Sequence, residues 1–212
     1  MADVKSKVIA PYKKEIMPMR VKYHDVFHLR NLYITLHEYL QQEKWTGMDG
    51  GDGFFEPHSD IETFYLEKND QKGLHVGGKE MWIWWRLKRN YEDKQSSFIT
   101  NKMEVDFRTA YVKDIEVMHQ GKKIRIQEGE IEIFIRAWVE ADYNNAWENH
   151  WFLKHIKKIY LKRLIHQELE KREKDLWREV YRFQGIIKNF LNLKQFIPVP
   201  VPFHTPIYGW EG

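Results

Sequence analysis

Residues 131–140 read IEIFIRAWVE, and the alternation within them decides the fold. Ile131, Ile133, Ile135, Ala137 and Val139 fall on one side of an extended chain, and Glu132, Phe134, Arg136, Trp138 and Glu140 on the other. Successive side chains of a strand point to opposite faces, so this pattern is that of a strand with one face buried. The same period recurs upstream. Met81, Ile83, Trp85 and Leu87 alternate with Trp82, Trp84, Arg86 and Lys88, and Met103, Val105, Phe107 and Tyr111 alternate with Glu104, Asp106 and Arg108. Residues 63–67 form a shorter candidate. Ile115 and Val117 lead through His119-Gln120-Gly121 to Ile124 and Ile126, a hairpin pattern, and Glu128-Gly129-Glu130 reads as a turn into the strand at 131. The span 62–143 thus predicts an antiparallel, meandering sheet of about five or six strands.

Helical patterns flank this sheet. After a strand candidate at 20–24, Asp25 stands where an N-cap belongs, and Leu29, Leu32, Tyr33, Leu36 and Leu40 make the apolar face of a helix ending near Thr46-Gly47. On the far side, residues 145–192 contain no proline and one glycine, Gly185, with Asn145 and Glu148 spaced as a capping box. Leu169, Leu176, Val180, Phe183, Ile187 and Phe190 trace one apolar stripe, preceded by Leu153, Ile156, Tyr160 and Leu164. At about 1.5 Å per residue such a helix would span roughly 70 Å, too long for one small domain, so the length predicts a break near 171–175 or at Gly185. The element order predicts an α+β fold, with an N-terminal helix and a long C-terminal helix packed on the sheet. Residues 20–195 are read as one domain, 1–19 as an N-terminal arm and 196–212 as an extended tail carrying Pro198, Pro200, Pro202 and Pro206.

Charge is distributed unevenly. The 34 Lys and Arg nearly balance 31 Asp and Glu, yet residues 147–194 hold 12 of the former against 6 of the latter. Lys154, Lys157, Lys158, Lys162 and Arg163 form a basic stripe with no acid between its ends. Such a stripe is expected either to bind phosphates, of nucleic acid or of an anionic membrane surface, or to pair with the acidic remainder of the chain. On the strands, Trp82, Trp84, Phe134 and Trp138 share the polar side with Arg86 and Arg136. Trp and Arg are frequent anchors of protein interfaces, and aromatic and basic side chains together can also stack and hold single-stranded nucleic acid.

Signatures of chemistry are sparse. The chain has no cysteine, which removes disulfides, thiolate metal sites and thiol nucleophiles. His37-Glu38 opens like a zinc-binding helix motif but places Gln41 where the second histidine would stand. His24 and His28 are four apart, and the acidic loop at 48–60 lacks calcium-loop spacing. No nucleophile elbow or phosphate-binding glycine loop is present. No metal site and no cofactor is therefore assigned. No apolar run approaches the ~18 residues of a membrane span, and no secretory signal is recognisable, so a cytoplasmic location is expected. The sequence reads as a non-enzymatic structural or assembly protein that forms homo-oligomers through its aromatic sheet face and terminal arms. A phosphate-binding module is the alternative, and a ligand pocket or enzyme site between sheet and long helix a further one.

Overall fold

A computed structural model describes residues 12–48, 61–69, 76–90, 98–119, 122–142 and 144–194. Seven antiparallel strands form one sheet: β1 (Tyr12–Glu15), β2 (Met19–Phe27), β3 (Thr46–Gly47), β4 (Glu62–Asn69), β5 (Lys79–Arg89), β6 (Ile99–His119) and β7 (Lys122–Ala141). The helices are α1 (Leu29–Gln42), α2 (Leu153–Ile159) and α3 (His166–Phe190), with a π turn at Tyr160–Leu164 between the last two. The expected α+β architecture is present, with seven strands rather than five or six. Strands β5, β6 and β7 make its centre. β1 and β2 lie end to end along the outer side of β7, while β3 and β4 both pair with β5 at the opposite edge.

The period-two pattern assigns the faces as anticipated except at Tyr111, expected on the apolar side of its strand and 43% exposed. Met81, Ile83, Trp85 and Leu87 on β5, Met103, Val105 and Phe107 on β6, and Ile131, Ile133, Ile135, Ala137 and Val139 on β7 are all buried. Helices cover this face. From α1 come Leu32, Leu36 and Leu40, and from α3 Leu169, Leu176, Val180, Phe183 and Ile187. Trp85 is the largest side chain with no exposure, and Tyr33 and Phe107 meet its ring edge-on at 4.9 and 4.7 Å. Arg89, also on the helix side, reaches Glu179 of α3 and lies 4.8 Å above the Trp45 ring.

Several boundaries differ from the sequence reading, each for a local reason. The N-terminal arm is a strand from Tyr12 onward: β1 pairs with residues 138–141 of β7, and Ile16 is buried in the core. Asp25 does not cap α1. Pairing with β7 carries β2 on to Phe27, and His28 becomes the cap, its Nδ1 accepting the Asn31 N–H at 3.3 Å. Burial lowers the pKa of His28, which keeps Nδ1 available as an acceptor. α1 stops at Gln42 because Lys44 turns left-handed (φ 61°) and the Trp45 N–H reaches back to the Leu40 carbonyl, closing the helix. Thr46 and Gly47 then pair with β5 instead of extending the helix.

Gly129 is not in a turn. β7 runs straight through it, and the irregularity is on the partner strand, where β6 bulges between Ala110 and Lys113 with Tyr111 at φ 57°. A Cβ at position 129 would sit 2.9 Å from the Val112 Cα, so the glycine makes room for the bulge.

The long helix breaks at Ile165, neither at 171–175 nor at Gly185, and α3 continues through Gly185. Its first regular turn begins at Leu153. Asn145 is left-handed (φ 52°) and starts no helix, while the Asp142 carboxylate accepts the Trp147 N–H at 3.1 Å. Buried positions run 157, 161, 165 and 169 before the three-and-four spacing of α3 resumes. A repeat of four outpaces an α-helix at 3.6 residues per turn, and the π turn absorbs the excess, the Ile165 N–H reaching the Tyr160 carbonyl at 3.1 Å. Leu161 is thereby buried, and Leu164, expected on the apolar side, is 69% exposed.

Two substitutions check these assignments. Gly129→Ala should destabilise the fold by about 1–3 kcal/mol, because the backbone of the bulge cannot yield as a flexible side chain would. Leu161→Ala should cost about 2–5 kcal/mol in denaturant unfolding, while Leu164→Ala should be nearly neutral. Equal losses at 161 and 164 would restore an uninterrupted α-helix.

Candidate functional site

The second face of the sheet carries the residues that sequence periodicity singled out. Every helix contact described above is on the first face, and among the described residues no helix packs on the second. Register aligns its side chains in rows across the strands. One row runs Phe64, Trp84, Asp106, Phe134 and Arg20, from β4 to β2. The next runs Leu66, Trp82, Arg108, Glu132 and Lys22. A third contains Arg86, Glu104 and Arg136, and a fourth Lys88, Lys102 and Trp138.

The aromatic side chains sit toward the β4 edge. Phe64 stacks on Trp84 with ring centres 4.3 Å apart, and Trp84 and Leu66 are 40% and 47% exposed. Phe134 lies further in, with the Arg20 guanidinium 5.2 Å from its ring. Trp138 belongs to the same face but is buried, because Lys13 of β1 lies 3.8 Å above its ring. It is closed off by its own chain. Phe64 and Leu66 were missed as face residues; their alternation with Thr63, Tyr65 and Glu67 was the available signal.

Most cations on this face are matched by carboxylates. Arg86 and Arg136 grip Asp106 from either side at 2.6 and 2.8 Å, and Arg136 also reaches Glu104 at 2.9 Å. Arg20 bonds Glu132, Lys22 bonds Glu130 at 2.7 Å, and Lys102 bonds the buried Glu140. The Arg20 hydrogen bond, with support from Lys22, holds the Glu132 carboxyl below its ordinary pKa. A face of alternating sign, with Arg20, Arg86 and Arg136 already bonded, is poorly suited to tracking a phosphate backbone, which calls for a run of one sign.

The basic stripe divides. Lys157 is buried, with its ammonium 2.7 Å from Asp142 and 3.2 Å from Glu148, so it is an internal ion pair and not a phosphate ligand. Lys154, Lys158, Lys162 and Arg163 are exposed and make no ion pair among the described residues. They share the surface with Trp151, Phe152, Ile159 and Leu164, apolar side chains that the sequence reading did not connect with them.

Between sheet and long helix, the described residues leave one small gap. The gap there, among Tyr39, Leu40, Trp45, Met103, Val180 and Phe183, has a volume of about 10 Å³, room for about one water. A larger cleft of about 390 Å³ opens instead beside the start of α1, over Met81, Ile83 and Val112. Its polar groups bond one another: the Tyr33 hydroxyl donates to Glu62 at 2.8 Å, and Lys79 lies between Glu67 and Asp114 at 3.6 and 3.5 Å. His37 stacks on Tyr33 and meets Trp85 edge-on. Among the described residues no group of three or more His, Asp and Glu side chains is placed to hold a metal ion, and of the acidic loop only Met48 lies within them. No helix among these residues is long and apolar enough to cross a membrane.

Neither a protein-family model, nor a curated protein, nor a solved structure matches this chain.

The Arg20–Glu132 pair generates a pH prediction. Glu132 has a lowered pKa in the folded state, so it contributes stability above its unfolded value, 4.5, and that contribution disappears as pH falls through the lower folded value. Glu132→Gln should therefore lower the unfolding midpoint at neutral pH, and the gap to wild type should narrow below pH 4.5. A gap that stays constant into acid would show that the charge of Glu132 is not what matters.

Proposed function

We propose that this chain is a non-enzymatic assembly protein whose open sheet face meets the same face of a second copy. The observation that carries the reading is the cluster of Phe64, Trp84, Trp82 and Leu66 on a face that no described helix covers. Large aromatic side chains supply most of the energy in protein interfaces, and a surface of this kind gains by losing water. The charge pattern favours a copy over a partner of single sign. Alternating Arg and Glu positions, turned about a two-fold axis, can set each cation beside a carboxylate of the other subunit, as an isologous contact requires. Trp82, Trp84, Arg86, Phe134 and Arg136 form the contact in this reading, with Phe64 and Leu66 added. Trp138 supports it from beneath.

The terminal arms hold a smaller part in the proposal than their sequence suggested. From Tyr12 the first arm belongs to its own sheet, and residues 1–11 and 195–212 lie outside the described residues. The absence of cysteine is compatible with assembly in the cytoplasm.

Sedimentation of the full chain over a wide concentration range tests the reading. Wild type should pass from monomer to oligomer, and Trp84→Ala should shift that transition to higher concentration by about 30-fold, the equivalent of ~2 kcal/mol for a buried interface tryptophan. Circular dichroism of the variant should match wild type. A wild-type chain that remains monomeric, or a Trp84→Ala variant that loses stability by the same amount at every concentration, would overturn the proposal.

A further inference from the structure

Residues 151–164 present a surface unlike the sheet face and independent of it. Trp151 is 77% exposed, the highest value for a large apolar side chain among the described residues, and Leu164, Ile159 and Phe152 of the same segment are 69%, 57% and 49% exposed. Lys154, Lys158, Lys162 and Arg163 are exposed between them, and no acidic residue interrupts the segment.

The segment is held so that this side faces out. Inward, Leu161 and Ile165 enter the core and Lys157 is fixed by Asp142 and Glu148. At its start, His150 Nδ1 accepts the N–H groups of Phe152 and Leu153 at 3.2 and 3.3 Å, which fixes the backbone that carries Trp151 and Phe152. At its end, the π turn rotates Leu164 out of the core stripe and onto the surface beside Lys162 and Arg163. Two apolar side chains thus stand at one end of the basic stripe, Leu164 at the other, and Ile159 between them.

We infer that this surface docks on an anionic lipid bilayer, with Trp151, Phe152, Ile159 and Leu164 entering the headgroup region and the four cations facing lipid phosphates and carboxylates. Two requirements select the occupant. Four cations without counter-ions call for a negative partner, and four large apolar side chains call for an apolar phase within a few ångströms of that charge. An anionic bilayer interface supplies both at the same depth, and it is where tryptophan rings partition. A nucleic acid backbone meets the first requirement but offers Ile159 and Leu164 nothing to enter. A second copy would bring like charges face to face, which opposes association.

Co-sedimentation of the full chain with vesicles tests the inference, using phosphatidylcholine alone and phosphatidylcholine containing about one-third phosphatidylserine. The chain should pellet with the anionic vesicles only, and added salt should release it, because lipid surface charge is screened within a Debye length. Lys158→Gln with Lys162→Gln should weaken binding about 25-fold, about fivefold for each cation near the surface. Trp151→Ser with Leu164→Ser should abolish pelleting although every charge is kept. Lys123→Gln with Arg125→Gln, exposed cations at the tip of the β6–β7 hairpin, should change nothing. The inference falls if wild type ignores anionic vesicles, or if the hairpin pair matters as much as the helix pair. It falls equally if Trp151→Ser with Leu164→Ser leaves vesicle binding intact while the segment binds an oligonucleotide, or if that variant dissolves a lipid-free oligomer.

Discussion

Strands β6 and β7 are bonded to each other from the Ile99–Ala141 pair to the His119–Lys122 pair, and the register of that ladder assigns every other element its side. A slip of one residue would turn Ile131, Ile133 and Ile135 toward water and Glu132 and Phe134 toward the helices. β5 adds to one side of the ladder and β1 with β2 to the other, so their faces follow from the same register. The helices then cover whichever face is apolar. The bulge opposite Gly129 is the one place where the ladder changes phase, and it lies at the end of the core, where Val112 is still buried and β5 begins at Lys79. There the β6–β7 hairpin continues as a two-stranded ribbon, with Ile115 opposite Ile126 and Val117 opposite Ile124 on the same side as the open sheet face.

The two faces of the sheet differ in how they are satisfied. On the covered face, burial of aliphatic and aromatic surface does most of the stabilising, and Arg89, stacked on Trp45 and bonded to Glu179, is a polar exception, as are the buried Asn101 and Thr109. On the open face, polar rows hold themselves together with ion pairs that are half in water and individually weak. Their more evident effect is on recognition. Arg20, Arg86 and Arg136 are bound to Glu132, Asp106 and Glu104, whereas Lys154, Lys158, Lys162 and Arg163 make no ion pair among the described residues and leave a patch of positive charge. The chain therefore offers two surfaces of different chemistry.

What was legible in the sequence follows the physics of period. Alternation at 81–88, 103–108 and 131–140 is a local property of extended backbone, and it located both faces correctly. Breaks in the pattern were harder to read. Gly129 resembled a turn because a glycine flanked by two glutamates usually marks one, whereas its real reason is a bulge nearly twenty residues away that only pairing reveals. Asp25 lost its capping role to His28 because a partner strand over a hundred residues distant extended β2. In the long helix, a spacing of four at 157, 161, 165 and 169 was present in the sequence and marked the π turn, but Lys157 and not an apolar residue begins that series, so the stripe at 153, 156, 160 and 164 looked better. The patch at 151–164 stayed hidden for the same reason.

The pairing of β1 and β2 with β7 also has a consequence in time. Arg20 and Glu132 are 112 residues apart, and the ladder that joins their strands spans a similar separation throughout. During synthesis the first strands leave the ribosome long before their partner exists, and α1 emerges with its leucine face uncovered. Contacts so distant along the chain demand loop closure before they return any energy, which makes folding slow. Until β7 is complete, the apolar sides of β2 and α1 are open to other nascent chains, and a stalled or truncated product ending before residue 131 would keep them so.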